Sequence, residues 1–454
     1  MCGATLSLRW RRSRCRACSL LGSGSACGGS CSVKLSLRPP TTSGSGRSSC
    51  SMSSRRRSRA RWLGDLHIGK RASGASSSGG AMKRILLVTS SLDAGGAERW
   101  MFNTLRSSVR PWDMEADYYF FEDVADDAFL AGYKDMTRRI AFGKCRGPEP
   151  VKLLSIAAGL KKFIDEGGPY DAIHLNGTKI AYQMVVMRVG EKASIPVRIV
   201  HCHTMLTSNL EGIKLFIRNL ARRETVRRAT VVGACSNAAA EVCYGKGILE
   251  NPKYRLFKNG IDLERFRFDA ARRRVVRESL GMGDKTVLLS VGSLDSRKNQ
   301  GFLLDLMVEY LKTNPQGHLV LVGSGPDRKM LEDRVVALEL VGNVTLVARS
   351  ESPEDYYCAA DVFLLPSLSE GLSFVTLEAQ ACGLPCLVST AVPPEAKATE
   401  LVDFLPLTAG AKAWAKTVKA GSMQGRERYC DVVRGEGYDL ESASHDFFDA
   451  CLGA

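Results

Sequence analysis

The apolar residues of this chain fall into short unbroken runs, each ending at a polar or glycine-rich turn. Residues 85–88, 197–200, 230–234, 286–291, 318–322, 344–347, 362–365 and 384–388 read as buried parallel strands, because both faces of each run are apolar. Residues 171–177 read as a strand entering a polar turn, and 400–407 as one more strand. Between these runs stand stretches with helical spacing at 97–105, 151–166, 209–229, 374–381, 411–418 and 439–451. The helix at 151–166 meets the stop signal Gly167-Gly168-Pro169. Strands alternating with helices predict an α/β protein with parallel sheets built from βαβ units.

Length and charge narrow the picture. A chain of 454 residues has room for two or three domains, and 44% apolar residues is ordinary for a globular protein. The net charge of +15 is uneven. Residues 1–81 hold 15 Lys plus Arg against the single acid Asp65, residues 82–262 carry +7, and residues 263–454 carry −6. The high pI therefore belongs mainly to residues 1–81. Those residues are rich in Ser, Arg, Gly and Cys, have no hydrophobic period, and are expected to be disordered. Cys15-x2-Cys18 and Cys27-x3-Cys31 match no common zinc spacing. The basic run at 55–59 reads as a nucleic-acid or targeting arm, and the whole segment as a transit peptide. A third reading, the one adopted, is an over-extended N-terminus before a natural start at Met82. No run of 18 apolar residues exists to span a membrane, and no secretory core follows the first arginines. The nine cysteines after residue 81 are scattered singly, as expected of reduced thiols in a cytoplasmic enzyme.

The candidate chemistry centres on residues 361–390. A strand, the loop Ser367-Leu368-Ser369-Glu370-Gly371, a helix and a second strand make one βαβ unit. Glu370 lies in the loop and Glu378 one to two turns into the helix, so both border the crevice where open α/β sheets bind ligands. Near the start, Gly95 and Gly96 stand at a strand-to-helix turn, where glycine lets a ligand approach the backbone. The strand at 197–200 runs into His201-Cys202-His203, with both histidines on one side of an extended chain. No third metal ligand accompanies them. Arg297 and Lys298 follow the buried strand 286–291 in a polar loop. The helix at 209–229 carries Lys214, Arg218, Arg222, Arg223, Arg227 and Arg228, with Leu215, Leu220 and Val226 able to face inward. It reads as a solvated face or a membrane-surface contact.

Pro-Ser-x-x-Glu-Gly followed by Glu-Ala and Gly-Leu-Pro, with Glu370 and Glu378 in E-x7-E spacing, resembles the signature of glycosyltransferase family 4. Gly95-Gly96-Ala97-Glu98-Arg99 and Lys258-Asn259-Gly260-Ile261-Asp262 resemble two further stretches of that family. The resemblance covers residues 82 to about 451 and implies the GT-B fold. That fold has two Rossmann-like domains facing one cleft: an acceptor domain at 82–262 and a nucleotide-sugar domain at 263–454, whose last helix crosses back. It further implies that Glu370 lies against the donor sugar, that Glu378 holds the ribose hydroxyls, and that His203 faces the donor near the sugar. Gly371, Leu372, Ser373, Gly95 and Gly96 are assigned to the same donor site. Lys298 matches the family's diphosphate lysine. Many members have Gly-Arg where Gly292-Ser293 stands, and Arg297 is expected to replace the missing charge. The activity implied is retaining hexosyl transfer from a nucleotide sugar, expected to be a UDP-sugar, to a glycan or a polyprenyl-diphosphate-linked saccharide. No Asp-x-Asp stands at a strand end, so neither a metal nor another cofactor is expected. No nucleic-acid partner is expected either, and the enzyme is expected in the cytoplasm, attached to the anionic inner face of the membrane by charge and without insertion. Two rivals are a GT-B nucleotide-sugar epimerase and a non-catalytic protein that binds nucleic acid or glycan.

Overall fold

The structure, a computed structural model, describes residues 82–90, 95–122, 127–177, 179–203 and 211–453. The segment 1–81, residues 91–94 of the first turn and the start of the basic helix at 209–210 lie outside the described residues. The first sheet contains β1 (Lys83–Thr89), β2 (Met114–Phe120), β3 (Arg139–Phe142), β4 (Ala172–Asn176), β5 (Val197–Cys202), β6 (Val231–Ala234) and β7 (Tyr254–Leu256). Its order is β3-β2-β1-β4-β5-β6-β7, parallel throughout. The second contains β8 (Thr286–Val291), β9 (Gly317–Val322), β10 (Val344–Val347), β11 (Val362–Leu365), β12 (Cys386–Ser389) and β13 (Val402–Leu405). Its order is β10-β9-β8-β11-β12-β13, again all parallel. These are two Rossmann-like sheets, each buried on both faces by the helices of its crossovers.

Three strands escaped the hydrophobic reading, and β2 shows why. Glu115 and Asp117 interrupt its apolar run, yet Asp117 is buried. Arg138 Nε donates to Asp117 Oδ1 at 2.9 Å and Tyr170 Oη to Oδ2 at 2.6 Å, which satisfies the carboxylate inside the fold. At the other end, the strand expected over 400–407 is confined to Val402–Leu405.

Five helices position the site and are numbered in chain order: α1 (Gly96–Arg106), α2 (Gly212–Arg228), α3 (Pro353–Ala359), α4 (Phe374–Ala381) and α5 (Leu440–Leu452). Ser373 caps α4, its Oγ accepting from Thr376 N at 3.4 Å, and such a cap contributes about 1 kcal/mol. Asp439 caps α5, which returns to the first sheet and packs Phe447 against Trp100 and His174. In α2 the inward face differs from expectation. Ala221 and Thr225 are buried, whereas Leu220 is 51% exposed. Val226 packs against the core and Leu215 is half-buried, as expected, so the departure is confined to Leu220.

Candidate active site

Each sheet reverses its strand order once, at β1/β4 and at β8/β11, and the loops leaving such a point in opposite directions open a crevice at the carboxyl ends of the strands. In the second sheet β8 leads into Gly292 and β9 into Gly323, and these turns touch. A Cβ on Gly323 would stand 1.8 Å from the Gly292 carbonyl oxygen, so only glycine fits there. Lys298 folds back over the Gly292 turn. Its Nζ donates to Glu370 Oε1 at 2.6 Å, and Ser367 Oγ donates to the same oxygen at 2.6 Å. The loop carrying Glu370 is tied to its surroundings by Asn299 Nδ2 donating to Pro366 O, Leu368 N to Arg297 O and Ser389 Oγ to Ser367 O.

Glu378 sits within α4 and is only 1% exposed. Tyr357 of α3 donates its hydroxyl to Glu378 Oε2 at 2.8 Å. Burial, and next the Glu378 carboxylate, push the Tyr357 phenol well above its usual range, so it remains a donor. The other oxygen, Oε1, lies 2.9 Å from Arg99 Nη2, an ion pair whose alignment falls short of a hydrogen bond. Arg99 belongs to α1 and therefore reaches across from the first sheet. Its guanidinium also lies over the Phe374 ring, 5.6 Å from the centroid.

On the first-domain side, Gly95 and Gly96 form the head of α1. A Cβ on Gly96 would meet the Phe374 ring at 3.9 Å, so this head faces the start of α4. Asn176, at the end of β4, organises what lies behind it. Its Nδ2 donates to Ala97 O at 2.7 Å, which leaves Oδ1 to face His203 Nε2 at 2.6 Å. An acceptor opposite Nε2 assigns the proton to that nitrogen. Burial pulls the His203 imidazole down to about 3, so the ring is neutral. His201 is different: Trp100, His174, Phe257 and His203 enclose it, and it belongs to the core.

Domain contact closes the arrangement. Ser236 Oγ donates to Gly371 O at 2.8 Å and Asn259 Nδ2 to Leu372 O at 3.0 Å, so Gly371, Leu372 and Ser373 line up along the first domain. A cleft of about 480 Å³ opens beside this seam. One stripe of α1 (Arg99, Phe102, Asn103 and Arg106) forms one wall, and Gly292, Gly323, Ser350, Val375 and Glu378 form the other. Arg265 and Arg349 add positive charge to the same cleft, against Asp262 and Glu441.

The structure thus brings Glu370, Lys298, His203 and Gly371 together at the seam, with Glu378 on the cleft wall. Arg297 lies in the loop after β8, where its guanidinium donates to Asp295 Oδ2 at 3.1 Å and is 52% exposed. Three participants were missed: Arg99, Tyr357 and Asn176. Only Arg99 carried a sequence signal, since it closes the Gly-Gly-Ala-Glu-Arg stretch.

Comparison with known proteins agrees in both halves. The family model "Glycosyl transferase 4-like domain" matches residues 126–260, and "Glycosyl transferases group 1" matches 272–400. EpsF of Bacillus subtilis, designated a glycosyltransferase, is 27% identical over 80% of this chain and 94% of its own length. The Escherichia coli UDP-Gal:α-D-GlcNAc-diphosphoundecaprenol α-1,3-galactosyltransferase is 27% identical over 57% of this chain and 68% of its own. Among solved structures, Anabaena HepE in complex with UDP superposes with a TM-score of 0.64 at 18% identity, over 82% of this chain and all of HepE. Each family model falls on one of the two sheets, and on that agreement the chain belongs to glycosyltransferase family 4, enzymes of the GT-B fold that transfer sugars.

Proposed function

We propose that the enzyme moves a hexose from a UDP-sugar to a polyprenyl-diphosphate-linked saccharide, with retention at the anomeric carbon, in the assembly of a surface polysaccharide. The observation that carries this reading is the meeting of Lys298 and Glu370 at 2.6 Å in the crevice at β8/β11, with Glu378 on the wall of the adjoining cleft. The names of the relatives point the same way: one acts on a UDP-sugar and a diphosphoundecaprenol acceptor, and another was crystallised with UDP. In this reading the bond from the anomeric carbon to the diphosphate oxygen breaks, the acceptor oxygen takes its place, and its proton passes to the departing diphosphate. Lys298 stabilises the charge that develops on the leaving group, and a neutral His203 presents no competing cation beside the sugar. Side chains supply the charge, so turnover is expected to persist in the presence of a chelator. The test is a panel of UDP- and GDP-hexoses incubated with EDTA, with and without an undecaprenyl-diphosphate saccharide. Acceptor-dependent release of UDP and an α-linked glycolipid are expected. Conversion between free UDP-sugars without acceptor would replace the proposal by the epimerase, and failure to consume any donor would sink both.

The same reading places the enzyme at a membrane surface, and α2 supports it. Ile213, Phe216, Ile217 and Leu220 follow one another at helical spacing and are 70%, 64%, 57% and 51% exposed. Exposed Lys214, Arg223 and Arg227 flank this row. An apolar stripe bordered by cations is the composition of a helix lying in a lipid interface. Attachment then rests on apolar burial as well as charge, unlike the purely electrostatic contact expected from the sequence. No described helix is long and apolar enough to cross a membrane. Not every arginine is free for lipid: Arg222 donates to the carbonyls of Cys243 and Val242, Arg227 pairs with Glu224, and Arg228 pairs with Glu191 and Glu224. The informative variant is therefore Phe216→Ser with Ile217→Ser. In co-sedimentation with phosphatidylglycerol vesicles, wild type is expected to pellet and the double variant to stay in the supernatant. Equal behaviour of the two would reject attachment through α2.

A further inference from the structure

We propose that Arg99 is a donor-binding residue contributed by the first domain: it pairs with Glu378 in this structure and passes to the nucleotide's diphosphate when the ribose takes over that carboxylate. The inference rests on the reading of Glu378 as the ribose-holding carboxylate. Glu378 offers the cleft only one oxygen, because Tyr357 holds Oε2. The free oxygen, Oε1, has Arg99 Nη2 at 2.9 Å without a hydrogen-bond alignment. Ribose hydroxyls arriving at Oε1 would make aligned, charge-assisted bonds in that place. The displaced guanidinium keeps its fork of donors and stays near, since the Phe374 ring supports it from one side. The diphosphate is joined to the same ribose through one methylene group, so it lies beside the residue that has just been released.

The second domain leaves a role for this cation. Ser293 occupies the position after Gly292, and its hydroxyl donates to Asp295 at 2.7 Å. Arg297 is committed to the same aspartate. Lys298 is then the one cation of the β8 loop directed at the site, and the second charge comes from α1, across the seam. Such an exchange also sets specificity. A nucleoside must displace Arg99 from Glu378 with nothing for the guanidinium to bind in return, whereas a nucleoside diphosphate returns an anion to it. Arg99 thereby favours nucleotide-diphosphate ligands over nucleosides that carry the same base and ribose.

The experiment is calorimetric titration of the full chain with uridine, UMP and UDP, and with the guanosine series in parallel. Wild type, Arg99→Met, Arg99→Lys and Glu378→Gln are compared. Arg99→Met is expected to weaken binding of the diphosphate by about tenfold or more, while nucleoside affinity stays level or rises. The diphosphate-to-nucleoside preference therefore collapses. Arg99→Lys keeps a charge without the fork and is expected to fall between, which preserves the test if the methionine variant folds poorly. The diphosphate role of Arg99 is excluded if nucleoside and diphosphate weaken by one common factor, if diphosphate affinity is unchanged, or if wild type shows no diphosphate preference. The Glu378→Gln arm separates the two readings. Unchanged nucleoside binding there would remove the ribose role of Glu378. Weakened nucleoside binding there, with no collapse of preference in the Arg99 variants, would keep the ribose role and discard the exchange.

Discussion

Lys298→Met is expected to lower turnover on the order of 100-fold, the scale on which removing one preorganised donor from developing charge acts. The lysine stands in the loop after β8, and its stem passes 3.3 Å from the position of a Gly292 Cβ. It also partners Glu370, and the two side chains are only 14% and 10% exposed. Removing one member of a largely buried pair leaves a charge without its partner and costs about 3 kcal/mol. The single variant is therefore expected to melt at a lower temperature as well as to turn over slowly. Lys298→Met combined with Glu370→Gln separates these effects. The double variant has no unpaired charge and should recover most of the melting temperature, which isolates the stability cost, yet its turnover should stay low because the site then lacks both the cation and the carboxylate. Recovery of turnover together with stability would mean that Lys298 acts only as a structural partner. A folded single variant with wild-type turnover would remove it from the chemistry altogether.

What could be read from the sequence follows a physical division. Glu370, Glu378 and Lys298 lie in linear stretches whose strand, turn and helix are local, so the local pattern put them after β8 and β11, and the family resemblance supplied their expected roles. Strands buried on both faces, such as β8 and β9, were visible as unbroken apolar runs. β2 was not, because a buried Asp117 satisfied by Arg138 and Tyr170 looks like a surface residue in sequence. The partners of Glu378 were hidden for a related reason. Tyr357 sits on a separate helix of the same domain and Arg99 on the other domain, so they meet the carboxylate only once those elements are packed together. The pairing of Arg297 with Asp295 two residues away was not legible either, because a cation next to Lys298 reads as a second diphosphate ligand. In α2 the charges were legible, but that Leu220 turns outward depended on the small Ala221 and Thr225 fitting against the domain.

Gly371→Ala is expected to lower turnover on the order of 100-fold although it adds a single methyl group. A Cβ at that position would stand 2.0 Å from the His203 carbonyl oxygen, 2.8 Å from its carbonyl carbon and 3.3 Å from Cys235 Sγ. The first two obstacles are backbone, so no rotamer change relieves them, and either the Glu370 loop or the end of β5 must retreat. Overpacking of this kind costs about 1–3 kcal/mol. The larger effect is geometric. Gly371 is next to Glu370, and its own carbonyl accepts from Ser236 Oγ at 2.8 Å, so the wedge acts where the two domains are pinned together. A displacement of about 1 Å at reacting groups costs on the order of 100-fold in rate. Glu378 lies farther along α4 and is held by Tyr357, so nucleotide affinity should fall much less than turnover. Asn259→Ala is the control, since it removes one hydrogen bond of the same seam, to Leu372 O, without a wedge. It is expected to cost about 1 kcal/mol and to leave turnover within a few-fold of wild type. Steady-state turnover, nucleotide titration and thermal melting of the two variants side by side decide the matter. Wild-type turnover in Gly371→Ala would show that close approach of His203 to the Glu370 loop is not needed for transfer. An equal loss in Asn259→Ala would assign the effect to the seam's hydrogen bonds instead of the missing side chain.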